Sequence, residues 1–362
     1  MRVGIVGLPN AGKTSLFNAL TSASAQSANY PFTTVDPNVA VVSVPDERLD
    51  RVAAVIGATP VVYETIAVHD IAGLVRDAHT GEGLGNKFLG HIRETDALLH
   101  VVRAHGDAQV VHPEGAVDPA ADIETIETEL LYADLEQAER RLERVSKQAK
   151  SLDREAVVEE RWLRELIAAL GEGRPARELP PPADAPDAVA RLRPLTAKPV
   201  LYVANVDEEG GTAVPAEVAA LADVADAGAV AVSARIESEL AELDDEQEAA
   251  AMRAELGAAE SGLARVIRGA FELLDLISFF TAGEGKEGRA YAVPRGSSAW
   301  AAAGKVHSDI QRGFVRAEMV AWDELVDAGG YAGARDRGTL RSEGRDYTMR
   351  DGDVMTVRFT PT

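Results

Sequence analysis

The chain has 362 residues, a formal net charge of -22 and no cysteine. The missing thiols exclude disulfides, zinc–thiolate sites, cysteine nucleophiles and thiol sensing. Hydrophobic residues make up 46% of the chain, enough for real cores, yet no apolar run has membrane-spanning length.

This length predicts two or three domains. The first expected element is a strand over Arg2–Val6, which starts at once, so no secretory or transit segment is expected and a cytoplasmic location is the expectation. Gly7-Leu8-Pro9-Asn10-Ala11-Gly12-Lys13-Thr14 follows, reading G-x-x-x-x-G-K-T, and then a helical run from Ser15 to Leu20. Strand, glycine-rich loop and helix in that order make the phosphate-binding loop of P-loop nucleotidases. Its glycines let the backbone curl so that N–H groups over Asn10, Ala11, Gly12, Lys13, Thr14 and Ser15 face phosphate oxygens, aided by the helix dipole. Lys13 is expected to reach the β- and γ-phosphates and to count among the catalytic groups; the Thr14 hydroxyl is expected to ligate Mg²⁺.

Asn29–Asn38 lies between the first helix and a strand over Val39–Val44, where a switch loop belongs. Of its two threonines, Thr34 rather than Thr33 is expected to complete the Mg²⁺ shell. A strand over Thr65–His69 ends in Asp70-Ile71-Ala72-Gly73. Asp70 is expected to hold Mg²⁺ through a water and the Gly73 N–H to meet the γ-phosphate. Leu74 stands where many relatives place a water-orienting Gln and can neither donate nor accept.

Further strands are expected over Ala97–Val102, Val200–Val203 and Ala229–Val232. Strands alternating with helices predict a mostly parallel sheet covered on both faces. From Asp122 to about Gly171 the sequence is rich in Glu, Leu, Ala and Arg, with apolar residues at three- and four-residue steps. That pattern predicts an antiparallel helical hairpin inserted between two halves of the nucleotide domain. Asn205-Val206-Asp207-Glu208 ends the Val200–Val203 strand, where guanine-binding relatives carry N-K-x-D. Glu208 occupies the guanine-reading Asp position and the basic residue is missing, so the guanine-selecting fork is degraded. Ser233-Ala234-Arg235 follows the last strand and reads as a second base-contacting loop.

Glu237–Leu256 is expected to be helical, and Gly262–Leu274 to be the closing helix. Beyond it, short strands over Ala290–Val293, Val315–Met319, Tyr347–Met349 and Val354–Phe359, with one helix near Ala299–Ser308, predict a small α+β domain. Residues 277–362 carry 12 basic and 12 acidic side chains, so the rest of the chain holds the whole negative excess. That neutrality, with Lys305, Arg312, Arg316, Arg341 and Arg345, makes the C-terminal part the less hostile face for RNA.

The chain resembles the YchF subfamily of Obg-like P-loop proteins over essentially its whole length. The residues that carry the likeness are Gly7–Thr14, Asn29–Asn38, Asp70–Leu74, the run Gly81-Glu82-Gly83-Leu84-Gly85-Asn86-Lys87-Phe88-Leu89, Asn205–Glu208, Phe279–Glu284 and Tyr347 through Phe359. The resemblance implies an α/β P-loop NTPase fold with an inserted helical hairpin and a C-terminal α+β domain, called TGS in the family. On that basis residues 1–121 and 197–276 are the two parts of the nucleotide domain, 122–196 the insertion and 277–362 the last domain. It further implies Mg²⁺-dependent ATP hydrolysis with slow intrinsic turnover and association with the ribosome, through the large subunit and its RNA; a GTP-specific enzyme of the Obg-like class is the competing reading. Asn205, Val206, Glu208, Ser233 and Ala234 are the implied base-site residues, and His112 corresponds to a histidine implicated in hydrolysis, with His79 and His105 as alternatives.

Overall fold

The computed structural model describes residues 1–27, 38–71, 84–106, 115–151, 153–207, 211–241, 243, 246–255 and 260–360. Contacts divide the chain into two units, Met1–Val42 with Ala67–Leu273, and Ser43–Ile66 with Leu274–Thr362. In chain order the described residues open with β1 (Arg2–Val6), α1 (Lys13–Ser27), β2 (Val39–Val44), α2 (Glu47–Ile56), β3 (Val61–Val62) and β4 (Glu64–Asp70). Next come α3 (Leu84–Arg93), β5 (Ala97–Arg103), α4 (Pro119–Ala149), α5 (Arg154–Gly171), α6 (Ala188–Leu192) and β6 (Val200–Asn205). Then follow α7 (Ala216–Val224), β7 (Gly228–Val232), α8 (Ala234–Leu240), α9 (Glu246–Glu255) and α10 (Gly262–Leu273). The last stretch holds β8 (Leu276–Thr281), β9 (Gly288–Pro294), α11 (Ala299–Val306), α12 (Ser308–Arg312), β10 (Phe314–Ala321), α13 (Trp322–Asp327), α14 (Tyr331–Asp336), β11 (Arg341–Glu343) and β12 (Asp353–Phe359).

The first unit is built on a six-stranded sheet of order β2-β4-β1-β5-β6-β7. The pairs β1–β4, β1–β5, β5–β6 and β6–β7 are all parallel, as expected for strands joined through helices. β5 is buried at every residue, the mark of a central strand covered on both faces. This arrangement delivers the carboxyl ends of β1, β4 and β6 to one edge, where ligands of such sheets sit.

The helical hairpin exists as α4, 31 residues long, and α5. Asp118 caps α4 by accepting from the Ala121 N–H at 3.1 Å, and Pro119 occupies its first turn. The start of α4 lies on the sheet, where Ile126, Leu130 and Ala133 pack with Val6 and Leu98. Its later half pairs with α5 around Val145, Trp162, Leu163 and Leu166. Asp134, fully buried in α4, accepts from Leu195 N (2.7 Å), Thr196 N (2.8 Å) and the Thr196 hydroxyl (2.7 Å), which ties the helix to the chain entering β6. Burial pushes this carboxyl up, and the three donors together with Arg93 oppose that shift.

The second unit holds a mixed sheet of order β11-β10-β12-β8-β9-β3. One face packs under α11, with Phe279, Phe314, Met319 and Met355 in the core. The other packs Phe280, Val320 and Val354 against Leu49, Val52 and Ile56 of α2. Residues 43–66 thus depart from the expected first part of the nucleotide domain. α2 has apolar residues on one stripe that closes a sheet face, β3 joins β9 in parallel, and Glu64 Oε2 accepts from Ala292 N at 2.8 Å.

Several elements differ from the sequence pattern: the one helix expected near Ala299–Ser308 is joined by α12, α13 and α14, and β3, β8 and β11 are strands the pattern does not mark. Tyr347–Met349 forms only an isolated bridge, Thr348 to Ser298. Its partner segment turns into α11 at Ala299, so the pairing stops after Ala299 N–Tyr347 O and Met349 N–Ser297 O. The run from Glu237 to Leu256 is split into α8 and α9. The Glu237 carboxylate of α8 is committed to the start of α10, accepting from Gly262 N at 2.5 Å and Ser261 Oγ at 2.8 Å.

Candidate nucleotide site

The loop after β1 adopts backbone angles open mainly to glycine at three places, Gly7 (φ 151°), Asn10 (φ 65°) and Gly12 (φ 100°). Asn is among the few other residues that tolerate this region. Space is as demanding as angle. A Cβ on Gly7 would lie 2.3 Å from the Val101 carbonyl oxygen, and one on Gly12 would lie 2.2 Å from Asn205 Nδ2. Ala11 N–H donates to Leu8 O at 3.3 Å, and α1 starts with Leu16 N–H donating to Gly12 O at 2.9 Å.

Lys13 is only 7% exposed, and its ammonium donates to Leu8 O at 2.7 Å. Burial lowers its pKa to about 8, against the pull of the Asp70 charge. Asp70 closes β4 and accepts a hydrogen bond from the Thr14 side chain. Desolvation raises its carboxyl, and Lys13 and Thr14 lower it. The structure therefore brings Lys13, Thr14 and Asp70 into one cluster, although Asp70 lies on a different strand from the loop.

Asn205, at the end of β6, braces the site. Its Nδ2 donates to Ala11 O at 3.1 Å, and its Oδ1 accepts from Ala234 N at 3.1 Å. One buried amide thus joins the phosphate loop to the Ser233–Ala234 turn. Ser233 caps α8 through Ile236 N, and Val206 N donates to Val232 O at 3.0 Å. Ser15 is exposed on the first turn of α1. Thr33, Thr34, Gly73, Leu74, His79, His112 and Glu208 lie outside the described residues, and His105 contributes a carbonyl that accepts from Arg103 Nε at 3.2 Å.

Sequence reasoning missed His100. It sits in β5, 3% exposed, its ring tilted against Tyr202 at 5.5 Å between centroids. Burial, with the Lys13 charge adding, lowers its pKa to about 3. The unfolded chain takes up this proton near the ordinary value of 6.5 and the folded chain only near 3, so stability is lost as pH falls below 6.5. Between pH 7 and pH 5 that loss is about 2 kcal/mol. Urea titrations at the two pH values should show it, and His100→Asn should lose less than the parent by about that amount. An equal loss in both proteins would contradict the assignment.

A model described as a 50S ribosome-binding GTPase matches residues 2–146, and a YchF GTPase C-terminal model, described as a protein of unknown function, matches residues 276–360. The chain is similar to the protein named ribosome-binding ATPase YchF of Bacillus subtilis, 47% identical over 99% of both chains. It is 45% identical to the protein of that name from Escherichia coli O157:H7, again over 99% of both. The solved structure of the Schizosaccharomyces pombe YchF GTPase superposes with a TM-score of 0.88 at 33% identity, covering 99% of this chain and 97% of that one. Identity of this order along nearly the entire length, on the same fold and with the loop glycines, Lys13 and Asp70 gathered in one cluster, places the chain in the YchF family.

Proposed function

We propose that this chain binds ATP with Mg²⁺, hydrolyses it slowly, and uses the bound nucleotide to control its association with the ribosome. The observation that carries this reading is the buried Lys13 beside the Thr14–Asp70 pair, in a chain whose base motif runs Asn205-Val206-Asp207-Glu208. Thr14 and Asp70 offer the hard oxygen donors that Mg²⁺ takes, and they already meet in one hydrogen bond. When bound there, the ion would neutralise charge on the β- and γ-phosphates. Lys13 would exchange Leu8 O for phosphate oxygens, and loop N–H groups from Asn10 to Ser15 would line them. Thr34 is the proposed third oxygen donor and Gly73 the proposed γ-phosphate contact. With Leu74 unable to hold water, His112 is the proposed group that orients it.

The relatives' printed names supply the ribosome, and the large subunit is the proposed contact. Glu208 in place of the guanine-reading Asp favours adenine. Calorimetric titrations of ATP and GTP, each with Mg²⁺, should show ATP tighter by at least tenfold, about 1.4 kcal/mol. GTP tighter by tenfold would overturn the nucleotide assignment. Co-sedimentation with ribosomes should differ with and without ATP; no ribosome binding in either state would leave an ATPase alone.

A further inference from the structure

We propose that the cavity between α4 and the sheet of the first unit binds a free α-amino acid with a short hydroxylated side chain, threonine or serine. The site needs neither ATP nor the ribosome, so it stands apart from the function proposed above.

The cavity has a volume of about 50 Å³. A single water needs about 10–15 Å³ of such space, so a group of about three or four heavy atoms fits. Its walls are mostly apolar, with Val6 from β1, Leu98 from β5, Leu130 from α4 and Leu195 from the chain entering β6. It opens past Glu127 and Arg177, whose side chains are 38% and 27% exposed. Apolar walls with a few placed polar groups are the ordinary make-up of a small-molecule site.

Inside, Thr196 is already engaged. Its hydroxyl donates to Asp134 and accepts from Ala176 N at 2.9 Å. His100 is different. It is 3% exposed and lines the cavity, and among the described residues its ring makes no hydrogen bond. Burial keeps the ring uncharged at neutral pH, so it offers one donor and one acceptor. Buried polar groups without partners are costly, so the imidazole sets the chemistry of whatever fills the space. A hydroxyl both donates and accepts, and can serve either nitrogen.

The mouth carries an ion pair that is not closed. Arg177 Nη2 stands 4.0 Å from Glu127 Oε1, beyond hydrogen-bond length. Oε1 accepts from the Tyr202 hydroxyl, and among the described residues Oε2 accepts nothing. Arg177 Nη1 donates to Thr196 O at 3.4 Å, which leaves Nη2 for a ligand. An acid alone would be repelled by Glu127, and an amine alone by Arg177. The α-carboxylate and α-ammonium of an amino acid satisfy both. Tyr202 spans the interval between mouth and imidazole: its ring centroid lies 5.5 Å from that of His100, and its hydroxyl reaches Glu127. The two ends of the site are thus one tyrosine apart, which a small amino acid bridges with a hydrogen bond at each end.

The test is a saturation-transfer NMR titration of the full chain, without nucleotide, against L-threonine, L-valine and N-acetyl-L-threonine. L-Threonine should bind with a Kd of about 1–10 mM, the range open to so small a ligand. L-Valine has the same shape with a methyl for the hydroxyl, and should bind at least about threefold more weakly. N-acetyl-L-threonine has no ammonium for Glu127, and should bind at least about tenfold more weakly. Arg177→Gln and Glu127→Gln should each weaken L-threonine about tenfold, and His100→Leu should bring threonine and valine within about twofold of each other. Thermal melts of the ligand-free variants keep a lost contact apart from a lost fold. The comparison of threonine with valine in the parent needs no variant, so it decides the matter even where a substitution unfolds the chain. No binding of L-threonine up to about 50 mM, equal binding of valine, or unchanged affinity in both mouth variants overturns the proposal and leaves ordered water as the occupant.

Discussion

Lys13→Ala should lower ATP turnover at least a hundredfold while leaving the fold as stable as the parent to within about 1 kcal/mol. A hundredfold is about 2.7 kcal/mol, within the range of a hydrogen bond to a charged group. Lys13 is buried, and among the described residues its ammonium donates to the Leu8 carbonyl alone, at 2.7 Å. At pH 7, one unit below its pKa of about 8, it is still mostly charged. A desolvated cation held this way interacts strongly with an incoming triphosphate because little water screens it. Stability moves the other way. Depressing a lysine from 10.5 to about 8 costs the folded state roughly 3 kcal/mol, which the alanine recovers. Loss of the packed methylene stem and of the Leu8 bond offsets that gain. Single-turnover kinetics with saturating Mg·ATP, a calorimetric Kd and a thermal melt separate these effects. Turnover within tenfold of the parent would remove Lys13 from the chemistry.

The sheet of the first unit was largely readable, because its strands are short apolar runs punctuated by helical stretches. Arg2–Val6 and Val39–Val44 match the observed strands at both ends, and the other four differ by one or two residues. What sequence could not supply is which surface an element closes. α2 and β3 lie between two strands of the nucleotide unit, yet their apolar residues fit the second sheet. Nothing in a local pattern records a partner more than two hundred residues away. The same gap affects the site. A lone histidine in an apolar run carries no signal that its ring lies within reach of the Lys13 field, so His100 escaped notice. Asn205 reads as a base contact, and its amide proves to be a brace between two loops. The glycines were read correctly as loop formers but for an incomplete reason: backbone curl explains their angles, whereas the neighbours at 2.2 and 2.3 Å come from β5 and β6, strands far along the chain.

Those neighbours predict that Gly7→Ala and Gly12→Ala fail differently. At Gly7 the obstacle is a backbone carbonyl, Val101 O, in a strand buried at every residue and paired with β1 and β6. It cannot turn away without breaking the ladder, so the loop must move instead. Left-handed strain and overlap together cost about 3 kcal/mol or more, and nucleotide binding is lost with the displaced loop. At Gly12 the obstacle is the end of a side chain, Asn205 Nδ2. That amide can rotate, giving up its bonds to Ala11 O and Ala234 N, a cost of about 2 kcal/mol for two buried hydrogen bonds, plus the strain of φ 100°. Once Gly12→Ala has displaced the amide, removing it with Asn205→Ala should cost almost nothing more. The double variant should therefore unfold in urea close to the Gly12→Ala single, a coupling of about 2 kcal/mol, whereas Asn205→Ala added to Gly7→Ala should subtract its full effect. Additive losses in the Gly12 pair would mean that the amide and the loop do not share the space, and the brace between β6 and the phosphate loop would have to be abandoned.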